Sequence, residues 1–174
     1  MSSNKFKITL LIGLACVLCS AIALAALTEP PADVVAAFVV KLSALEKNIS
    51  SSGSDISVYV MGAPAVAQNL EKEVGHAIGS SKLGAVKSGD SLPSEKPTIL
   101  YIGSAGTAEQ AVSYARSQKV LSVTGSPDLF LKGVSLGIVI GSDGKPKVLL
   151  NKTASSAEGL NWNPAIIKIA EVSE

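Results

Sequence analysis

Histidine and cysteine are almost missing from this chain of 174 residues, which has one His and two Cys, both Cys within the first 19 positions. A His/Cys metal site cannot be assembled from so few ligands, and no metal or other cofactor is expected. Aromatic residues are scarce too: three Tyr, three Phe and one Trp are too few for a base-stacking platform. Neither sign of charge is in excess, with 15 Lys and Arg against 14 Asp and Glu, which speaks against a nucleic-acid binder held by phosphate contacts. What the chain does have is apolar bulk. With 47% hydrophobic and 17% charged residues, it has material for one globular domain.

The first residues read as a targeting segment. Lys5 and Lys7 carry the only charges before Glu29, and Ile8 to Leu27 is uncharged. A basic start, an apolar centre and small residues at Ala23-Leu24-Ala25 form the pattern of a secretory signal peptide cleaved before Ala26. The alternative is an uncleaved membrane anchor through Ile8–Leu27, since about 20 apolar residues can span a bilayer. Cleavage removes Cys16 and Cys19 together, so no disulfide is expected. Losing Lys5 and Lys7 leaves 13 basic against 14 acidic residues, a net charge of −1. The expected division is a signal peptide over 1–25, a linker over 26–32 and one domain over 33–174.

Periodicity then sketches the domain. Val34, Phe38, Leu42, Leu45 and Ile49 recur at helical spacing from Asp33 to about Asn48, with Phe38 and Leu42 facing the core. Ile56 to Met61 reads as a strand, and Pro64 opens a helix to about Val74 with Val66 and Leu70 inward. A short strand is expected around Leu83 to Val86. Thr98-Ile99-Leu100-Tyr101-Ile102 is a continuous apolar run, as in a strand buried on both faces. Thr107-Ala108-Glu109-Gln110 fits a capping box for a helix to about Ser117. Val120 to Thr124 follows as a strand, and Ser126-Pro127-Asp128 opens a short helical turn. Asp143-Gly144 joins Leu136–Ile140 and Lys147–Leu150 in a hairpin. Asn163-Pro164 caps a final helix with Ile166, Ile167 and Ala170 inward. The fold class expected is α/β: a three-layer single domain with a mixed, mainly parallel sheet and a C-terminal hairpin plus helix.

Chemistry-bearing motifs are few. Gly103-Ser104-Ala105-Gly106-Thr107 lies where a buried strand passes into a helix, so Gly103, Ser104, Gly106 and Thr107 are candidate ligand-binding residues through backbone N–H groups and hydroxyls. The spacing is neither that of a P-loop nor that of a dinucleotide fingerprint. His76 has only Glu71 and Glu73 nearby in sequence; without a positioned partner it reads as an exposed helix-end residue. No G-x-S-x-G elbow is present, no catalytic residue is assigned, and the protein is not read as an enzyme. Trp162, the sole Trp, either seals the edge of the core or anchors a partner.

A family resemblance enters through stretches in order along the chain. Val34-Val35-Ala36-Ala37-Phe38 resembles the opening helix of the YfiR family of bacterial periplasmic proteins. Ile56 to Gly62 is similar to its next strand, which ends in Gly, and Pro97 to Gly103 to its buried apolar strand. Val120 to Thr124, Phe130, Gly133 and Leu136 to Ile140 sit as the family has them. Asn151, Ala154, Ala157, Gly159-Leu160, Ile166-Ile167 and Ala170 follow. The resemblance covers Asp33 to Val172. The chain departs from it at Leu45-Glu46-Lys47-Asn48, where members often carry aromatics and a Trp-Pro, and at Val134, which stands where the family has a glycine. The resemblance implies a periplasmic repressor that binds the periplasmic sensor region of an inner-membrane diguanylate cyclase, lowering cyclic-di-GMP and biofilm formation. It allows a homodimer. For the partner interface Phe130, Leu131 and Trp162 are the candidates. Two other classes are carried beside it: a periplasmic small-molecule-binding module using the strand-end crevice near Gly103 to Thr107, and an enzyme acting through His76 and Glu71.

Overall fold

Eight strands in the order β2-β3-β1-β4-β5-β6-β7-β8 form the sheet of the computed structural model, which describes residues 27–174. The expected signal peptide, Cys16 and Cys19 lie outside the described residues. Among the described residues no helix is long and apolar enough to cross a membrane.

The chain enters through α1 (Ala32–Ser43), begun by Pro31 with Asp33 in the first turn and Lys41 in the last, charges that complement the helix dipole. It stops earlier than expected. Glu46 adopts an extended backbone, and its carboxylate accepts the N–H of Ile49, starting a separate turn, α2 (Lys47–Ser50). The buried face of α1 is Val35, Ala36, Val39, Val40 and Leu42, about one residue round the helix from the expected stripe. Phe38 is consequently only half-buried, packed on the rim of the core.

The strand β1 (Asp55–Met61) leads into α3 (Pro64–Lys72), which has Pro at its start and Val66, Ala67 and Leu70 inward, as expected. The segment expected as one short strand is a longer pair. A tight turn joins β2 (Ala77–Ile78) to β3 (Ser81–Gly89), antiparallel to each other, with β3 then parallel to β1. On the other side of β1 lies β4 (Ile99–Ile102), buried at every residue. Then come α4 (Ala108–Gln118), β5 (Leu121–Thr124), α5 (Pro127–Leu131) and β6 (Leu136–Ile140). The Asp143-Gly144 hairpin turns β6 into the antiparallel β7 (Pro146–Asn151), and Gly144 has a φ of +73°.

The C-terminal part differs from expectation. Asn151 caps a helix the sequence had not suggested, α6 (Lys152–Ala157), accepting the N–H of Ala154 at 2.8 Å. Asn163 does cap a turn at Pro164, but that turn is a five-residue 3-10 segment and not an α-helix. The chain then extends as β8 (Ala170–Ser173), parallel to β7. Pairing Leu150 with Val172 requires extended backbone, which leaves Ile167 60% exposed and not inward.

Alternation along the buried strands makes the three layers. Ile99 and Tyr101 of β4 join Val35, Val39, Val66 and Leu70 on one side. Leu100 and Ile102 join Ala111, Val112, Ala115 and Leu129 on the other. Burying both faces is what a parallel sheet with helices on each side demands. Gly62, just beyond β1, has a φ of +68°, and a Cβ there would lie 2.6 Å from that of Ser104. Gly62→Ala is therefore expected to cost about 1–3 kcal/mol, read as a lowered urea midpoint with unchanged slope.

Candidate functional site

Because β3 and β4 flank β1 on opposite sides, the sheet has a topological switch point between β1 and β4, where open α/β sheets hold ligands at the carboxyl ends. The crevice there measures about 230 Å³ and is lined by Gly62, Ala63, Tyr101, Gly103, Gly125 and the N-terminal residues Glu29 and Pro30, among others. Three glycines make it narrow. A Cβ at Gly103 would lie 2.6 Å from that of Ala63, and one at Gly125 would lie 2.8 Å from the Tyr101 hydroxyl. That hydroxyl accepts the Gly125 N–H at 3.1 Å, and burial pushes its pKa up to about 12.

Of the four expected ligand residues, only Gly103 borders this crevice, and its N–H is already given to the Met61 carbonyl at 2.8 Å. Ser104 packs on Gly62. Thr107 makes no capping bond; its hydroxyl points to the Met61 sulfur at 3.7 Å. A Cβ at Gly106 would meet only the Ser104 hydroxyl, at 4.0 Å. Thr28 is tied to Ile140 by two backbone bonds of 3.0 and 2.8 Å, which lays the N-terminal segment near the crevice and brings the Glu29 carboxylate to its wall. A carboxylate there opposes anion binding.

The opposite end of the sheet carries a larger opening. At the amino ends of β1, β4 and β5 a cleft of about 400 Å³ has Ile49, Ile56, Pro97, Leu121 and Leu160 as apolar lining and Ser54, Asp55, Lys96 and Lys119 as polar lining. Two almost fully buried carboxylates frame it. Glu46 receives the N–H of Ile49 at 2.7 Å and of Asn161 at 2.6 Å, tying the α1–α2 corner to the C-terminal segment. Glu158 receives the Ser122 N–H at 3.0 Å and the Ser122 hydroxyl at 2.5 Å, while that hydroxyl accepts the Ser135 N–H at 2.9 Å. Burial holds the Glu158 carboxyl above the ordinary glutamate range, partly offset by its bonds from the serines. Lys119 reaches the Ala157 carbonyl at 2.7 Å from a left-handed backbone with φ of 56°.

Sequence reasoning missed both glutamates. Glu is not a favoured N-cap type, so Glu46 gave no signal. Glu158 stands at the C-terminal end of a short helix, where an acid opposes the dipole; that misfit was the readable clue.

The three interface candidates do not share a surface. Phe130 is 7% exposed and packs with Val139 and Leu149 on one side of the sheet, whereas Trp162 packs half-buried against the cluster on the other. The Trp162 indole N–H donates to the Ser155 hydroxyl at 3.2 Å. Only Leu131, 62% exposed, is free at the surface. His76 is exposed too, with its Nδ1 3.5 Å from Glu73; Glu71, also exposed, is not paired with it.

Comparison with known proteins agrees with this architecture. A solved structure of a conserved domain protein from Vibrio cholerae O1 biovar El Tor superposes with a TM-score of 0.55 at 16% identity, a likeness of fold. The match covers 83% of this chain, which spans 60% of the length of that one. No curated protein matches. The model of the YfiR/HmsC-like family matches residues 32–171. The chain therefore belongs to the YfiR/HmsC-like family.

Proposed function

We propose that the protein is a periplasmic regulator of cyclic-di-GMP signalling that binds the periplasmic sensor region of an inner-membrane diguanylate cyclase and represses it. The observation that carries this reading is the family match over residues 32–171. Repression needs no chemistry from this chain. A protein that binds the inactive form of the cyclase more tightly than the active form shifts the population toward the inactive one. Export delivers the domain to the compartment where the sensor region lies. The expected mature N-terminus is Ala26, and the intact mass of the envelope-derived protein checks it; a mass retaining residues 1–25 contradicts cleavage. Deleting the gene in its own host is expected to raise cyclic-di-GMP and biofilm, with restoration on complementation. An unchanged nucleotide level contradicts the repressor.

A second reading is favoured by the amino-end cleft, whose volume and apolar lining suit a small ligand with a few polar groups. In it the protein is a small-molecule-binding module without a cyclase partner. Thermal-shift screening of envelope metabolites tests it. A ligand of this cleft raises the melting temperature of the parent, and Ser54→Trp, on the cleft wall, abolishes the shift. A shift that survives Ser54→Trp places the ligand elsewhere.

A further inference from the structure

The outer side of α4 carries an open groove of about 670 Å³, walled also by the C-terminal ends of α5 and α6. Its apolar lining is Val112 and Ala157 alone, so an apolar ligand would bury little there. Three cations converge on it instead, Arg116 and Lys119 from the end of α4 and Lys132 from the end of α5. Elsewhere Lys82, Lys87, Lys147 and Lys152 each lie against a carboxylate. Among the described residues the three groove cations have no such pair. Arg116 donates to the Gly133 carbonyl at 3.4 Å and Lys119 to the Ala157 carbonyl at 2.7 Å. Carbonyls at a helix end carry about half a charge, so these bonds hold the cations in place and leave a surplus of positive charge. The one carboxylate on the groove wall, Glu109, stands two turns before Arg116 on α4, about 10 Å along the axis.

We propose that this groove binds the dianionic phosphate group of a phosphomonoester. The guanidinium of Arg116 spends one of its five N–H donors on Gly133 and keeps the rest of its planar fork for phosphate oxygens. Lys119 and Lys132 add ammonium groups as point charges, and the Ser113 hydroxyl adds a neutral donor. A phosphomonoester carries a charge of about −1.5 to −2 at neutral pH. It therefore offsets the surplus of three cations better than a carboxylate or a phosphodiester, each with a single charge. Lys119 also borders the amino-end cleft, so Arg116 and Lys132 are the discriminating positions. Phosphate binding here is independent of cyclase repression and of a ligand in that cleft.

Titration calorimetry of the full chain with methyl phosphate and with dimethyl phosphate, at equal ionic strength and neutral pH, tests it. Methyl phosphate is expected to bind about fivefold more tightly than dimethyl phosphate, which has one charge fewer. That preference is expected to vanish below about pH 6, where the monoester takes up a proton. Lys132→Gln is expected to weaken methyl phosphate about fivefold and Arg116→Gln about tenfold. Lys72→Gln removes the same charge from α3, across the sheet from α4, and is expected to leave binding unchanged. Absence of methyl phosphate binding overturns the proposal. So does equal binding of the two probes, an equal loss in Lys72→Gln, or binding confined to phosphatidylglycerol vesicles, whose phosphate is a diester.

Discussion

Replacing Glu46 with Ala is expected to lower the melting temperature by about 6–12 °C, the largest effect of any single change at the cleft. The carboxylate is buried and holds two backbone N–H groups, those of Ile49 and Asn161, at 2.7 and 2.6 Å. Truncation leaves both donors without their carboxylate partner, that of Ile49 in the buried core, a cost of about 3 kcal/mol. The damage reaches beyond one helix cap, because the same corner receives the backbone of the 161–163 segment. Lys47 gives its N–H to the Asn161 carbonyl at 2.9 Å, and Asn163 gives its own to the Leu45 carbonyl at 2.7 Å. Glu46→Gln keeps one acceptor oxygen and is expected to lose about half as much. A shift below about 2 °C for Glu46→Ala contradicts this account of the corner.

Glu158→Ala is expected to cost about 2 kcal/mol, again through donors left without a partner, here the N–H and hydroxyl of Ser122. The more telling variant is Glu158→Gln. The folded-state pKa of Glu158 is raised, chiefly by burial. Between the ordinary glutamate value and the raised one, the folded protein therefore keeps a proton that the unfolded chain releases. Stability then falls as pH rises through that window, and the favourable contribution is fully present only below the unfolded value. Urea unfolding from acid to neutral pH should show this decline in the parent, and a flatter profile in Glu158→Gln, whose amide keeps acceptor and shape without the charge. Parallel profiles in parent and variant contradict the assignment.

Some of this was legible in advance, and the reason is local physics. The apolar run of β4, the Asp143-Gly144 turn and Pro64 at the start of α3 are signals written in neighbouring residues, and each appears where expected. The C-terminal strand was not legible. Ile166, Ile167 and Ala170 fit a helical stripe, and only the free edge of β7 decides for an extended chain. The break at Glu46 depends likewise on a distant partner, Asn161.

The candidate site divides in the same way. A glycine-rich strand-to-helix turn at Gly103 to Thr107 suggested a ligand loop. In the fold, Gly62, Gly103 and Gly125 let the strand ends and their neighbours approach closely around a narrow crevice. The roomier cleft is gathered from residues 46–56, 96–98, 119–121 and 158–160. No periodicity links those segments.

The most direct test of the regulatory account is affinity capture of the protein from the membrane fraction of its own host, with the captured partner identified by mass spectrometry and its cyclase activity assayed. The account predicts recovery of an inner-membrane diguanylate cyclase with a periplasmic segment, whose activity falls when the purified protein is added. A membrane fraction that yields no cyclase, or a cyclase whose activity is indifferent to the protein, contradicts it.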